Sequence, residues 1–455
     1  MRMRRIIGGA IMGLTLLAAP FASTARAETL AQALAHGYEN SGLLDQNRAL
    51  LRAADEDVAQ AVSALLPIVN WSAGLSTVSP RFPGADLITG NLQFSAELTI
   101  YDFGRTQYAI DVQKELVLAT REQLVGVEQR VLLRIVEAYM EVRRAQEFVA
   151  LRQNNVRLIT QELRAAQDRF EVGEVTRTDV ALAEARLASA RSQLAAQEGA
   201  LVRAAEEYRA AVGRAPSGLQ SVPPAPVSRS VAEAKALALR THPSLREAQH
   251  SVTAAEINIL RAEAAMRPTV SLQGSVSLDL NGNDTERLGL NVGGPIYQGG
   301  RLSSQVRQFM ARRDAARAGL LIAARDIEQN VGNAYSFLEV ARASREASER
   351  QVRAARVAFE GVREEATLGS RTTLDVLNAE QEQLDAAANL ISAQVDETLA
   401  SYSVLSAMGL LTAQHLGLNV QIYDPAAYYN LVDDAPTAMS QQGEALDRVL
   451  RAIGN

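Results

Sequence analysis

Hydrophobic and polar residues alternate strictly in four stretches of this chain. Val69, Trp71, Ala73 and Leu75 alternate with Asn70, Ser72, Gly74 and Ser76, and Leu92, Phe94, Ala96, Leu98 and Ile100 with Gln93, Ser95, Glu97 and Thr99. Further on, Val270, Leu272, Val276, Leu278 and Leu280 alternate with Ser271, Gln273, Ser275, Ser277 and Asp279. Leu288, Leu290 and Val292 do the same with Gly289, Asn291 and Gly293. A period of two predicts strands with one apolar and one polar face. Turn-forming residues separate each pair: Pro80, Pro83, Gly84 and Gly90 in the first, Asn281-Gly282-Asn283-Asp284 in the second. The pattern therefore predicts two hairpins, about 67–101 and about 268–297.

After each hairpin the period changes to three-four. Leu302, Val306, Phe309, Ala316, Leu320, Ile327, Val331, Ala334 and Leu338 lie in a proline-free run from 301 to about 366. The run from 105 to about 170 is equally long and also lacks proline. At ~1.5 Å per residue each helix reaches on the order of 100 Å, a coiled-coil length. Gly173 and Gly369 break them, and a following threonine (Thr176 or Thr178; Thr372 or Thr373) is placed to cap a returning helix, 178–212 or 374–408. Residues 29–65 also read as helix.

These elements occur twice. Tyr101-Asp102-Phe103-Gly104-Arg105 is echoed by Tyr297-Gln298-Gly299-Gly300-Arg301, and Gly173 to Val180 by Gly369 to Val376, both at an offset of 196 residues. The organisation predicted is a first repeat at 28–215, a linker at 216–228 carrying Pro216, Pro223, Pro224 and Pro226, a second repeat at 229–410 and a tail at 411–455. The tail is irregular, with Tyr423-Asp424-Pro425, and ends in an amphipathic helix bearing Leu446, Val449, Leu450 and Ile453.

The N-terminus adds a compartment. Arg2, Arg4 and Arg5 precede an apolar run from Ile6 to Phe21, and Ala25-Arg26-Ala27 fits a cleavage site, so 1–27 reads as a secretory signal peptide. Loss of Arg2, Arg4, Arg5 and Arg26 takes the net charge from −6 to −10, a balance that argues against nucleic-acid binding. The chain has no cysteine, which removes disulfide and thiolate chemistry and a lipid anchor on the mature N-terminus. No later apolar run approaches 18 residues, so a membrane can be crossed only by a β-barrel. The alternation also fits a half-buried soluble sheet; the long helices favour the membrane, because they offer no compact core to cover four strands. Four strands cannot close a barrel, and open edges are not tolerated in lipid. Two copies give a narrow, side-chain-filled barrel and three give twelve strands with room for a lumen.

The signal peptide, the duplicated halves, Pro295-Ile296-Tyr297-Gln298-Gly299-Gly300 and the Gly–Asp-Val turns resemble the TolC family of outer-membrane export channels over residues 29–412. The resemblance implies a mainly α fold with a β-barrel part. It implies a homotrimer whose twelve-stranded barrel in outer-membrane lipid continues into a long periplasmic α-helical barrel. It also implies a periplasmic adaptor (membrane fusion) protein and an inner-membrane transporter of ABC type. The tail is similar to the branch serving type I protein secretion. By the same resemblance Asp375 and Asn378 form the pore constriction, with one carboxylate per chain where the family has two. Thr178, Asp179 and Arg371 form gate links, Arg371 bonding Asp179 or oxygens near it, while Ala366 stands where the family has a tyrosine. Val172, Gly173, Glu174, Leu368, Gly369 and Ser370 form the adaptor-docking tips. Trp71, Phe94, Tyr101, Phe103 and Tyr297 are candidates for aromatics at the bilayer edge.

No residue constellation supports an enzyme. The glycine pairs lack phosphate-loop spacing, and of His36, His242, His250 and His415 only His242 and His250 share a predicted helix. No metal or cofactor is expected. The function expected is an export duct, type I secretion first and multidrug efflux second, against a pore-free periplasmic coiled-coil scaffold.

Overall fold

The computed structural model describes residues 27–77, 88–227, 229–438 and 440–453. All of the expected signal peptide except Ala27, and the turn with Pro80, Pro83 and Gly84, lie outside the described residues. The first repeat runs α1 (Leu30–Glu39), α2 (Gly42–Ser63), β1 (Ile68–Thr77), β2 (Ile88–Tyr101), α3 (Arg105–Glu171) and α4 (Arg177–Val212). The second runs α5 (Val231–Thr241), α6 (Pro243–Ala264), β3 (Thr269–Asp279), β4 (Asp284–Gly293), α7 (Arg301–Thr367) and α8 (Thr373–Ala407). The tail adds α9 (Tyr429–Val432) and α10 (Gln441–Ile453).

The helix expected at 29–65 is two helices. The Asn40 side chain donates to the His36 carbonyl at 2.8 Å, and Ser41 accepts from the Leu44 N–H to start α2. Short polar side chains that bond nearby backbone end helices in this way. The second repeat breaks at the matching place with different residues: His242 caps α6 and Pro243 occupies its first turn.

Two apolar clusters sit where the short helices pack on the long ones. One joins Leu34, Leu44, Leu51, Leu132, Ile135, Val136 and Tyr208 with Leu411 of the tail. The other joins Ala234, Leu245, Val331, Leu338 and Val404. A tyrosine pins the start of each repeat. The Tyr139 hydroxyl bonds the carbonyls of Glu28 and Gln220, both at 2.8 Å. The Tyr335 hydroxyl donates to the Arg229 carbonyl at 3.1 Å. The tail packs on the outside of α2, with Val432 and Leu446 against Ala59 and Tyr428 bonded to Glu56.

The strands form one antiparallel sheet in the order β1-β2-β3-β4, so the hairpins join through β2 and β3. The register aligns like with like. Trp71, Phe94 and Val276 stand opposite one another, as do Leu98, Leu272 and Leu290, while Ser72, Gln93 and Ser277 make a polar row. One face is thus apolar except at its turn end, where Glu286 stands opposite Val276 and Asp284 opposite Leu278, and the other carries Ser, Asn, Gln and Thr side chains with Glu97 and Arg287. A bulge between Thr99 and Tyr101 alters the expected alternation: Tyr101, not Ile100, faces Val270. The extra residue bends β2 where the strand gives way to α3.

Candidate functional site

The wall of a conduit is legible in the sheet. Its strands have 10, 14, 11 and 10 residues, against the about 9–11 needed to cross a bilayer at a tilt. The apolar face is bare: Trp71 is 70% exposed, and Val69, Leu75, Leu288, Leu290 and Val292 are exposed with it. A monomer has no reason to expose so large a patch unless lipid or protein covers it. Tyr101, Phe103 and Tyr297 lie at the helix-side end of the sheet, the Tyr101 and Phe103 rings 4.7 Å apart. Trp71 and Phe94 form a directly opposed pair further up the apolar face.

Each strand-to-helix joint is a left-handed pair, Phe103-Gly104 (φ 55° and 84°) or Gly299-Gly300 (φ 59° and 82°). Phenylalanine in that region is costly, on the order of 1–3 kcal/mol. Asp102 clasps the first joint, accepting from Gly104 N at 3.1 Å and Thr106 N at 2.7 Å, and the Arg267 guanidinium lies over the Phe103 ring.

At the far ends of the long helices the two tips share one geometry. Gly173 (φ 82°) and Gly369 (φ 79°) take the left-handed conformation. Glu174 N bonds Arg169 O at 2.9 Å and Ser370 N bonds Glu365 O at 3.0 Å, so each helix ends in a Schellman turn. Val172 and Leu368, just before the glycines, are exposed, Leu368 at 84%. Thr176 and Thr372 cap the returning helices, and Asp179 and Asp375 complete the capping boxes. Hydrogen bonds from the Thr176 hydroxyl and backbone hold the Asp179 carboxyl below its usual range; those from the Thr372 backbone and hydroxyl do the same for Asp375.

The structure separates some of the expected gate residues. Thr178 is exposed, and the capping threonine is Thr176. Within this chain Arg371 Nε bonds Glu365 Oε2 at 2.8 Å rather than Asp179, because the tip turn brings it back to Glu365 in the last turn of α7. Arg371 and Asp179 nonetheless line one cleft between the two tips, with Arg169 and Glu174. Asn378 is exposed and accepts from Arg186 of α4 at 3.4 Å. Ala366 is buried in the cluster of Phe359 and Val376.

Sequence reading missed the polar contacts between the two helical hairpins. Asn155 of α3 bonds Glu380 of α8 at 2.8 Å, Arg144 of α3 bonds Asp396 of α8 at 2.5 Å, and Arg363 of α7 approaches Glu162 of α3 at 3.7 Å. These residues look like ordinary charged helix faces, and only the packing of α3 on the second hairpin brings them together. His250 pairs with Glu115 at 2.8 Å, and His36 bonds the Val212 carbonyl. Among the described residues no group of three or more His, Asp or Glu is arranged to hold a metal, and no helix is long and apolar enough to cross a membrane.

The family model described as outer membrane efflux protein matches this chain twice, at residues 37–214 and 236–410. The outer membrane efflux protein BepC of Brucella suis is 36% identical over 90% of this chain and 91% of its own length. The proteases secretion protein PrtF of Dickeya chrysanthemi is 26% identical over 76% of this chain and 83% of its own. The crystal structure of the Campylobacter jejuni CmeC outer membrane channel shares the fold, with a TM-score of 0.77 at 16% identity over 90% of both chains. Two matched halves, a two-faced sheet and helices of duct length lead to one conclusion: the chain belongs to the outer membrane efflux protein family, TolC-like channels that export without catalysing a reaction, with the sheet in the outer membrane and the helices in the periplasm.

Proposed function

We propose that three copies of this chain form the outer-membrane duct of a tripartite exporter. The observation that carries this reading is a four-stranded sheet with one apolar face, one polar face and both edges unpaired among the described residues. Lipid does not tolerate open strand edges. Three copies pair every edge in a twelve-stranded barrel, put the apolar face in lipid and leave a polar lumen. The bare tips, with Val172, Gly173, Glu174, Leu368, Gly369 and Ser370, are the surface offered to a periplasmic adaptor, and an inner-membrane transporter of ABC type supplies the energy. Arg371 bonds Asp179, within one chain or between neighbouring copies, in the closed state; the cleft that the two residues share in one chain supports their meeting. Asp375 lines the constriction with Asn378, giving a ring of three carboxylates.

The test is assembly and conductance. Detergent-purified protein has the mass of a trimer and gives single-channel currents in planar bilayers, blocked by trivalent cations more weakly than channels with two aspartates per chain. A protein that stays soluble without detergent and gives no current is the scaffold instead. Cargo rests on separate observations: the Tyr423-Asp424-Pro425 tail and the similarity to PrtF support type I protein secretion, and the similarity to BepC supports small-molecule efflux. Deleting the gene decides. Loss of one or a few large extracellular proteins establishes secretion, and an unchanged secretome with heightened drug or bile-salt sensitivity establishes efflux.

A further inference from the structure

Well above the tips, the two helical hairpins meet at a buried carboxyl. Glu380 of α8 is 4% exposed and Asn155 of α3 is 6% exposed. The Asn155 amide donates to Glu380 Oε1 at 2.8 Å, while Oε2 is buried without a protein partner. Leu158 of α3 and Phe359 and Val362 of α7 form an apolar cluster with Val376 and Ala379, one turn and one residue before it on α8. The charges facing Glu380 come from each neighbouring helix. Glu162 of α3 opposes it, and Arg363 of α7 approaches Glu162 at 3.7 Å. Arg186 of α4 attracts it but also donates to Asn378. A carboxylate in an apolar contact with one hydrogen bond and a like charge nearby is far less stable than the neutral acid.

We infer that Glu380 is a positioning residue: its protonated carboxyl holds α8 against α3, and its ionisation releases the hairpin and opens the periplasmic end of the duct. The inference rests on the reading of this chain as a gated duct and adds a signal that operates the gate. Burial, reinforced by Glu162, pushes the Glu380 carboxyl up to about 7 from its ordinary 4.5. An acid whose pKa is raised in the apposed state favours that state at low pH. The advantage is full below pH 4.5, declines above it and is lost as pH rises through about 7. That range covers conditions met by a periplasm open to the medium. Asp375 and Asp179, held below the usual carboxylate range, titrate outside this window.

The test uses the full-length trimer in planar bilayers from pH 5 to pH 9. Each unit of pKa difference between apposed and separated states is worth tenfold in the opening equilibrium, so the open fraction is expected to rise about tenfold or more between pH 5 and pH 8. Glu380→Gln, a permanent mimic of the neutral acid, holds the acid-side value at every pH. Glu162→Gln moves the midpoint to lower pH, and serves should the first variant fail to assemble. A Glu380→Gln channel with the wild-type pH profile, or a wild-type profile that is flat, overturns the inference. Hydrogen exchange over 376–386, corrected for intrinsic pH dependence, separates this contact from the duct reading. Protection lost above pH 7 in wild type but not in Glu380→Gln supports the contact even if no current is seen, a result that would sink the duct alone. Equal protection in both chains at every pH removes it.

Discussion

Glu184 and Glu380 occupy the same place in the two repeats, eleven residues beyond Gly173 and Gly369. Within one chain Glu184 is exposed, whereas Glu380 is buried on Asn155. The difference does not lie in the hairpins, since α3 packs on α4 much as α7 packs on α8. It lies between them: α3 also runs along α8, while α4 barely touches the second hairpin. A duplicated sequence thus acquires different chemistry at equivalent positions because the copies are unequal neighbours. The joints carry the same lesson. Two glycines make the second turn, and the first holds Phe103 in the same conformation with the Asp102 clasp.

The comparison can be broken at the tyrosine pins, where the largest effect is expected. Tyr139→Phe removes the single O–H shared by two carbonyls, leaving both without it, and should destabilise the trimer by about 1–3 kcal/mol, whereas Tyr335→Phe uncovers one carbonyl and should cost about 1 kcal/mol. Thermal denaturation in detergent checks the order; equal losses would mean the repeats are pinned alike. At the tips the repeats should respond equally. Gly173→Ala and Gly369→Ala each force a Cβ into the left-handed region, for about 1–2 kcal/mol, seen as faster hydrogen exchange in the last turns of α3 and α7. Acid should loosen both tips together. Asp179 and Asp375 have depressed pKa values, so their contribution is present above about 3.8 and lost as pH falls through the lower folded value. Exchange protection at 176–180 and 372–376 should fade only in that acid range. The smallest effect belongs to Glu184→Gln, which should leave the pH profile of conductance unchanged; a shifted profile would make the two glutamates equivalent after all.

Much of the fold was legible because each element writes its own period. Alternation from Val69 to Ile100 and from Val270 to Val292 marks strands whatever surrounds them, and proline-free heptad-like runs mark the long helices. The tip glycines were legible for a local reason too, since a helix that must reverse needs a left-handed residue. The site was less so. Helix capping drew Asp179 and Asp375 toward Thr176 and Thr372, and a glutamate in the last turn of α7 captured Arg371. The break at Asn40-Ser41 and the bulge at Ile100 were hidden because a single side-chain hydrogen bond or one extra residue leaves the surrounding pattern intact.

The sequence by itself determined what depends on near neighbours: two repeats, the faces of four strands, the reversals at Gly173 and Gly369, and an architecture that cannot be closed by one chain. Tertiary structure decided what depends on contacts more than a hundred residues apart: the joining of β2 to β3, the pinning of Glu28 and Arg229 by Tyr139 and Tyr335, and the burial of Glu380 against Asn155. Periodicity fixes which way a side chain points from its own helix or strand. The environment it meets there is set by the packing of other elements, and for Glu380 that environment is what changes its charge.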